Sequence, residues 1–118
     1  MHEMALSQQI VRTAVEAAEG RDGRITKICV SVGALSATNV DSLSFWMEET
    51  LRSREMEEVD FELEQPPARV KCECGREYEA QDMFAGCPEC GGYSREVVSG
   101  MDVTVKWVEV ENDGKGKD

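Results

Sequence analysis

The sequence is short of histidine, proline, aromatic residues and long apolar runs, and these shortages exclude several classes of protein. Because the chain has one histidine, His2, a Ser/His/Asp or Cys/His catalytic site would have to use a residue at its terminus. No apolar run approaches the roughly 18 residues of a membrane-spanning helix. Met1 is not followed by the charged and apolar regions of a secretory signal. The sequence therefore predicts a cytoplasmic protein that is not an enzyme and does not enter a membrane.

Basic residues are also scarce, with 13 Lys and Arg against 24 Asp and Glu, for a net charge of -11. Nucleic-acid binding relies on Lys and Arg contacts to phosphate, so nucleic acid is excluded as the main partner. An acidic protein suits metal cations or basic protein surfaces. At 118 residues the chain can form one modest core, and a second lobe would need something other than burial to hold it together.

Apolar periodicity predicts two amphipathic helices in the first half of the chain. In residues 5–19 the apolar positions recur at intervals of three and four, and glycines follow at Gly20 and Gly23. Thr38 or Asn39 can cap a second helix. The predicted buried faces are Leu6, Ile10, Ala14 and Ala17 in the first helix, and Leu43, Trp46, Met47, Thr50 and Leu51 in the second.

Alternation of apolar and polar residues predicts three strands, in residues 25–35, 59–64 and 101–107. In the first strand Cys29 alternates with apolar neighbours and is interpreted as a small buried hydrophobic residue. In the last strand the alternation places Trp107 on the same side as Val103 and Val105. The predicted fold class is α+β, with two helices packed on a three-stranded sheet.

Residues 69–98 are rich in cysteine and glycine and have few aliphatic side chains, which predicts a small inserted domain resembling a zinc ribbon. The predicted division is a main domain of residues 1–68 plus 99–110, a zinc-binding domain of residues 69–98, and a disordered acidic tail of residues 111–118.

Four cysteines in this insertion, Cys72, Cys74, Cys87 and Cys90, have the spacing of a metal site. Each pair can supply two sulfurs from one turn, as tetrahedral Zn(II) requires. Four protein ligands leave no open position for catalysis, so the zinc is predicted to be structural. Iron in a rubredoxin-like site is the main alternative, and a disulfide framework is disfavoured by the predicted location.

The start of the chain offers a different kind of chelate. The α-amine of Met1, the deprotonated amide of His2 and its imidazole can close fused rings around one ion. The amide of Glu3 or an outside donor can complete a plane that favours Ni(II) or Cu(II). From position alone, the preferred interpretation is an exposed helix start with Glu3 near the positive end of the helix dipole.

Three segments resemble the hydrogenase nickel-incorporation (HypA/HybF) family: residues 1–6 (MHEMAL), 32–36 (VGALS) and 87–92 (CPECGG). Their order, and that of the predicted elements, matches over nearly the whole chain apart from the tail. The resemblance implies a nickel metallochaperone with nickel at Met1, His2 and Glu3, and with zinc at the four cysteines. One departure is the single residue, Glu73, between the first two cysteines, where the family usually has two.

The resemblance also implies partners. These are the nickel-handling GTPase of hydrogenase maturation (HypB), the large subunit of [NiFe]-hydrogenase and, in some members, urease accessory proteins. The oligomeric state, monomer or homodimer, is left open by the sequence. Two other functions also stay open on the residues alone: a zinc-ribbon adaptor with no nickel role, and an iron-containing electron carrier.

Overall fold

The computed structural model describes residues 3–93 and 95–112, and within these ranges the chain forms two helices and six strands. The helices are Glu3–Ala17 (α1) and Val40–Ser53 (α2). The strands are Arg24–Val32 (β1), Asp60–Glu64 (β2), Ala68–Cys72 (β3), Glu77–Ala80 (β4), Arg95–Ser99 (β5) and Val103–Glu111 (β6). Neither helix is long and apolar enough to cross a membrane.

The main lobe is a three-stranded sheet in the order β2-β1-β6, with both helices packed on one face. β1 is parallel to β2 and antiparallel to β6. Alternate residues of β1, namely Ile28, Val30 and Val32, contribute to the core beneath the helices, as their spacing predicted. The predicted α+β fold class is confirmed.

Helix α1 begins at Glu3, two residues before the predicted start, and ends at Ala17. Its buried face includes Val11 where the prediction had Ala17, which is exposed. The face also includes a polar residue, Ser7. Its hydroxyl lies 2.8 Å from that of Thr50 on α2, and it also donates to the Met4 carbonyl. A buried hydroxyl needs such partners, so this pair joins the two helices within the apolar core.

The prediction for the last strand was wrong at Trp107, because β6 contains a bulge. Cys29 pairs with Trp107 but the next residue, Val30, pairs with Val105, so one extra residue of β6 lies between them. An extra residue reverses the side on which later side chains lie. Val108 and Val110 therefore pack on the core together with Val103 and Val105, whereas Trp107 lies on the opposite face.

The cysteine-rich segment forms a second, antiparallel sheet in the order β4-β3-β5, which the sequence did not predict. This sheet has its own small core, and two of the cysteines belong to it. Its buried residues are Leu35, Ala68, Val70, Cys72, Tyr78, Ala80 and Cys87. The segment thus has more apolar packing than its composition suggested.

The two sheets meet where the backbone comes very close together at Gly33. A Cβ atom at Gly33 would lie 2.2 Å from the carbonyl oxygen of Gly100, so glycine is required there. The Gly33 N–H donates to the Asp102 carbonyl at 2.9 Å, and the Leu35 N–H to the Gly100 carbonyl at 2.9 Å. These contacts join the end of β1 to the segment between β5 and β6.

The predicted acidic tail is described only at its start. β6 includes Glu111, the first residue assigned to the tail, which pairs with Arg24. Residues 113–118 lie outside the described part of the chain, and so do Met1 and His2.

Candidate metal centres

The four predicted cysteine ligands, Cys72, Cys74, Cys87 and Cys90, come together at one end of the second sheet. Their Sγ atoms all lie within 4.8 Å of one another. The Sγ atoms of Cys72 and Cys90 are 3.5 Å apart, and those of Cys74 and Cys87 are 3.7 Å apart. In a tetrahedral site with Zn–S bonds of about 2.3 Å, sulfurs are roughly 3.8 Å apart. The cluster therefore has the donors and the dimensions to hold a metal such as zinc.

Each cysteine pair lies in a turn closed by a glycine with positive φ. Gly75 donates its N–H to the Cys72 carbonyl at 2.9 Å, and Gly91 donates to the Cys87 carbonyl at 2.7 Å. The φ angles are 101° at Gly75 and 73° at Gly91, a region that favours glycine. The first turn has one residue between Cys72 and Cys74, whereas the second has two between Cys87 and Cys90. The shorter turn still brings both of its sulfurs to the cluster.

Backbone N–H groups also point at the sulfurs of the second pair. The Glu89 N–H donates to the Cys87 Sγ at 3.4 Å, and the Gly92 N–H donates to the Cys90 Sγ at 3.4 Å. Burial raises the pKa of Cys87, but N–H groups of Cys90 and Glu89 and the thiols of Cys72 and Cys74 more than offset it, lowering that pKa to about 7. These donors favour the thiolate form, which is the form that binds metal.

The pKa of Cys72 shifts in the opposite direction. A backbone hydrogen bond from Cys74 lowers the pKa of Cys72, but burial and hydrogen bonds to the other three thiols outweigh it and raise that pKa to about 12. These hydrogen bonds favour the protonated form of the Cys72 thiol. A divalent cation bound by the cluster would lower the pKa of Cys72 by stabilising its thiolate.

The other predicted site, Met1, His2 and Glu3, is described at Glu3 alone. Glu3 is the first residue of α1, and its Oε2 accepts the Asn39 N–H at 3.1 Å. Asn39 is the N-cap of α2, where its side-chain oxygen accepts the Ser42 N–H at 2.9 Å. The N-terminal ends of both helices therefore meet at Glu3. The sequence predicted Asn39 as a cap but gave no sign of its contact with Glu3.

Residues 33–39 connect the end of β1 to the start of α2, and they include the last four residues of the VGALS segment. Leu35 is buried in the core of the second sheet, four residues before Asn39. Between them, the Ser36 hydroxyl donates to the Thr38 hydroxyl at 3.1 Å. The sequence did not predict that Leu35 belongs to the second core, because the alternation of residues 25–35 places it at the end of the first predicted strand.

Cys29 is buried as predicted, but it has polar neighbours that the sequence did not reveal. Its Sγ lies within 4.8 Å of carboxylate oxygens of Glu62 and Glu64. Lys27 Nζ is 3.3 Å from Glu62 Oε1, and Lys106 Nζ is 2.8 Å from Glu64 Oε1. Because each carboxylate already has an ammonium partner, we interpret this group as ion pairs around a buried thiol.

The thiol of Cys29 is expected to be unreactive in the folded protein. Burial, followed by the negative charges of Glu64 and Glu62, raises its pKa, so little thiolate forms near neutral pH. Alkylation of Cys29 by iodoacetamide, followed by mass spectrometry, should be at least roughly tenfold slower in native protein than in guanidinium. Trp107→Ala, which removes its cross-strand neighbour, should raise the native rate. Equal rates in native and denatured protein would show that this thiol is accessible.

This fold and cluster define a class of protein: a two-helix α+β lobe with an inserted lobe that carries four clustered cysteines able to hold a metal ion. A family model described as "Hydrogenase/urease nickel incorporation, metallochaperone, hypA" matches residues 1–110. The chain belongs to this HypA family of nickel metallochaperones. The resemblance found in its short motifs is therefore confirmed.

Relatives from distant organisms support the assignment. A hydrogenase maturation factor HypA of Geobacter metallireducens is 36% identical over 112 residues, covering 94% of this chain and 100% of the relative. One from Methanothermobacter thermautotrophicus is 34% identical, covering 94% and 98%. The solution structure of the Ni metallochaperone HypA from Helicobacter pylori has a TM-score of 0.67, at 15% identity, over 96% of this chain and 100% of that one. At that identity, the structural likeness concerns the fold.

Proposed function

We propose that this chain binds Ni(II) at its N-terminus and delivers it to the large subunit of a [NiFe]-hydrogenase. The observation that carries the proposal is the family match, which begins at Met1 and continues through the cysteine cluster to residue 110. It thus includes the terminal histidine, which is the one histidine of the sequence. An imidazole at position 2 has chelating neighbours that an imidazole elsewhere in a chain lacks.

The proposed nickel ligands are the amine of Met1, the amide and imidazole of His2, and the backbone amide of Glu3. Such nitrogen-rich planar coordination favours Ni(II) over Zn(II) or Mg(II). The assignment of the backbone, and not the carboxylate, of Glu3 is supported by the contact of Oε2 with the Asn39 N–H. That contact leads us to assign the Glu3 side chain to positioning the start of α1.

We propose that Cys72, Cys74, Cys87 and Cys90 hold a structural Zn(II). Support comes from the sulfur separations and from the two N–H groups directed at Cys87 and Cys90. Zinc with four thiolates is closed to further ligands, so its contribution is to folding. On this proposal residues 69–98 act as a zinc-binding domain, and residues 1–68 with 99–110 act as the nickel-binding domain.

The proposed partners follow from the family and from the delivery role. They are the GTPase HypB, the large subunit of [NiFe]-hydrogenase and, where urease is present, its accessory proteins. The cytoplasmic location stays a prediction of the sequence, and the choice between monomer and homodimer stays open.

Nickel titration and transfer test the proposal with protein that begins at an untagged Met1. We expect about one Ni(II) per chain with the absorption spectrum of a planar site, beside one zinc that persists through the titration. Loaded protein should then transfer nickel to apo large subunit in the presence of the GTPase, measured by hydrogenase activity and metal analysis. Zinc-containing protein that binds no nickel would instead support the adaptor function.

A further inference from the structure

A groove with a volume of about 470 Å³ lies between helix α2 and strand β2, at one edge of the main sheet. Leu51 and Val59, which are buried, and Phe61, which is half-buried, give it an apolar floor. The rest of its lining is polar, and most of those polar side chains are acidic. We name this feature, with its apolar floor and charged rim, the α2–β2 groove.

Strand β2 is the edge strand beside this groove, and one of its sides is unpaired. In the sheet order β2-β1-β6, β2 pairs with β1, and no other strand of residues 3–93 and 95–112 pairs with it. Its pairing with β1 runs from Asp60 to Glu64 without a register shift. At the opposite edge, β6 has the bulge near Trp107, which interrupts the ladder. β2 is therefore the more regular of the two edges, and its free N–H and C=O groups can pair with an added strand.

The rim of the groove carries more negative than positive charge. Glu48, Glu57 and Asp60 are exposed, and none of them belongs to an ion pair in the described part of the chain. The one basic residue of the lining is Arg52, whose guanidinium donates to the Glu49 carboxylate. That hydrogen bond and the charge of Glu49 raise the pKa of Arg52, and the charges of Glu48 and Glu57 raise it further. A single cation is thus shared among several carboxylates.

The charge of the surrounding chain indicates what kind of segment fits the groove. Residues 48–60 contain six acidic and two basic side chains, the basic ones being Arg52 and Arg54. Such a rim repels a second copy of this chain, whose net charge is -11, and attracts a segment that carries Lys or Arg. The long stems of these side chains can cover an apolar floor while their charged groups reach the rim. An extended segment with both apolar and basic residues therefore complements the groove and the open side of β2.

We propose that the α2–β2 groove binds an extended basic segment of a partner protein, which pairs with the free side of β2. Backbone hydrogen bonds to β2 hold the segment in place, and contacts of its Lys or Arg residues with Glu48, Glu57 and Asp60 select it. The inference goes beyond the proposed function, because it assigns a protein-binding surface to the main lobe and requires no nickel.

Binding to the groove is tested with a peptide of about seven residues in which lysine alternates with valine and both ends are blocked. Nuclear magnetic resonance of the nitrogen-15-labelled, zinc-loaded protein follows the backbone amides during the titration. Amides of β2 and of residues 57–59 should shift, whereas those of β4 and β5 should not. A peptide with glutamate in place of each lysine should cause no shifts. A fully N-methylated lysine peptide keeps its charges but has no backbone N–H, so it should bind at least roughly tenfold more weakly.

Substitutions at the rim test the contribution of charge. Replacing three rim carboxylates by amides should weaken the Kd for the lysine peptide by roughly tenfold and reduce its dependence on salt. These substitutions are Glu48→Gln, Glu57→Gln and Asp60→Asn. The matched control makes the same change in net charge at exposed residues of the cysteine lobe and of the segment before β6, and it should keep the Kd within about twofold. Its substitutions are Glu79→Gln, Glu96→Gln and Asp102→Asn.

Four results would overturn the proposal. One is a titration in which the lysine peptide shifts no amide of α2 or β2. A second is equal weakening by the rim and control substitutions, which would mean that net charge alone attracts the peptide. A third is equal binding of the N-methylated peptide, which would exclude pairing with β2. The last is a dimer of this chain that the rim substitutions dissociate in sedimentation experiments, which would assign the groove to a second copy.

Discussion

Replacing His2 with alanine is expected to lower the affinity for Ni(II) by roughly a hundredfold, or about 2.8 kcal/mol. The imidazole anchors the ion while the neighbouring backbone amide loses its proton, so its removal affects two ligands of the proposed site. Competition with a coloured nickel chelator at neutral pH would measure the change. Affinity should also fall in acid, because the imidazole and the amides must be deprotonated to bind metal.

Changes at Met1 and Glu3 distinguish the contributions of the individual ligands to nickel affinity. Acetylation of the Met1 α-amine removes that ligand without moving His2 and should cause a loss similar to His2→Ala. Glu3→Gln keeps both the backbone amide and a side-chain acceptor for the Asn39 N–H, so it should bind nickel nearly normally.

Glu3→Pro tests the assignment of the Glu3 amide directly. Proline removes the amide hydrogen but is tolerated in the first turn of a helix, and Glu3 is the first residue of α1. Nickel affinity should fall in this variant while the helical circular dichroism is kept. Unchanged affinity in both His2→Ala and the N-acetylated protein would place nickel elsewhere in the chain.

Removal of zinc is expected to unfold the cysteine lobe while the main lobe stays folded. The second core is small, and Cys72 and Cys87 are themselves among its buried residues. Zinc supplies about 10–16 kcal/mol in comparable small peptides, which is more than so small a core can replace. The core under α1 and α2 is larger and contains none of the four cysteines.

Hydrogen exchange with mass spectrometry measures this difference between lobes. After chelation, amides of β3, β4 and β5 should lose most of their protection, and so should Leu35, whose side chain belongs to their core. Amides of α1, β1 and β6 should keep theirs. Cys72→Ala should reproduce the effect without a chelator, and Cys29→Ala, in the main lobe, serves as the control that keeps its zinc. Loss of protection along the entire chain would mean that the lobes fold as one unit.

The parts of the fold that could be read from the sequence have strong local periodicity. The α2 stripe of Leu43, Met47 and Leu51 is buried as predicted, and the Asn39 cap is present. The weaker predictions failed where a local pattern was short or interrupted. The strands β3, β4 and β5 have four or five residues each, too few for a clear alternation among cysteines and glycines.

Trp107 shows how an interrupted alternation leads to a wrong prediction of the face on which a side chain lies. The adjacent apolar residues Trp107 and Val108 break the alternation of the last strand, which is the one local sign of the bulge. The sequence gives no further sign of which residue changes sides. That depends on the partner strand, because the bulge is defined by pairing with Cys29 and Val30.

What the sequence determined by itself is the α+β class, the set of four cysteines, and the one imidazole beside the α-amine. Those features follow from periodicity and from donor atoms a few residues apart. Tertiary structure alone decided that Glu3 contacts Asn39, that Leu35 joins the cysteine lobe, and that Cys29 lies among Glu62 and Glu64. These contacts join residues distant in the chain or placed by strand pairing, and their geometry is set by how the sheets and helices pack.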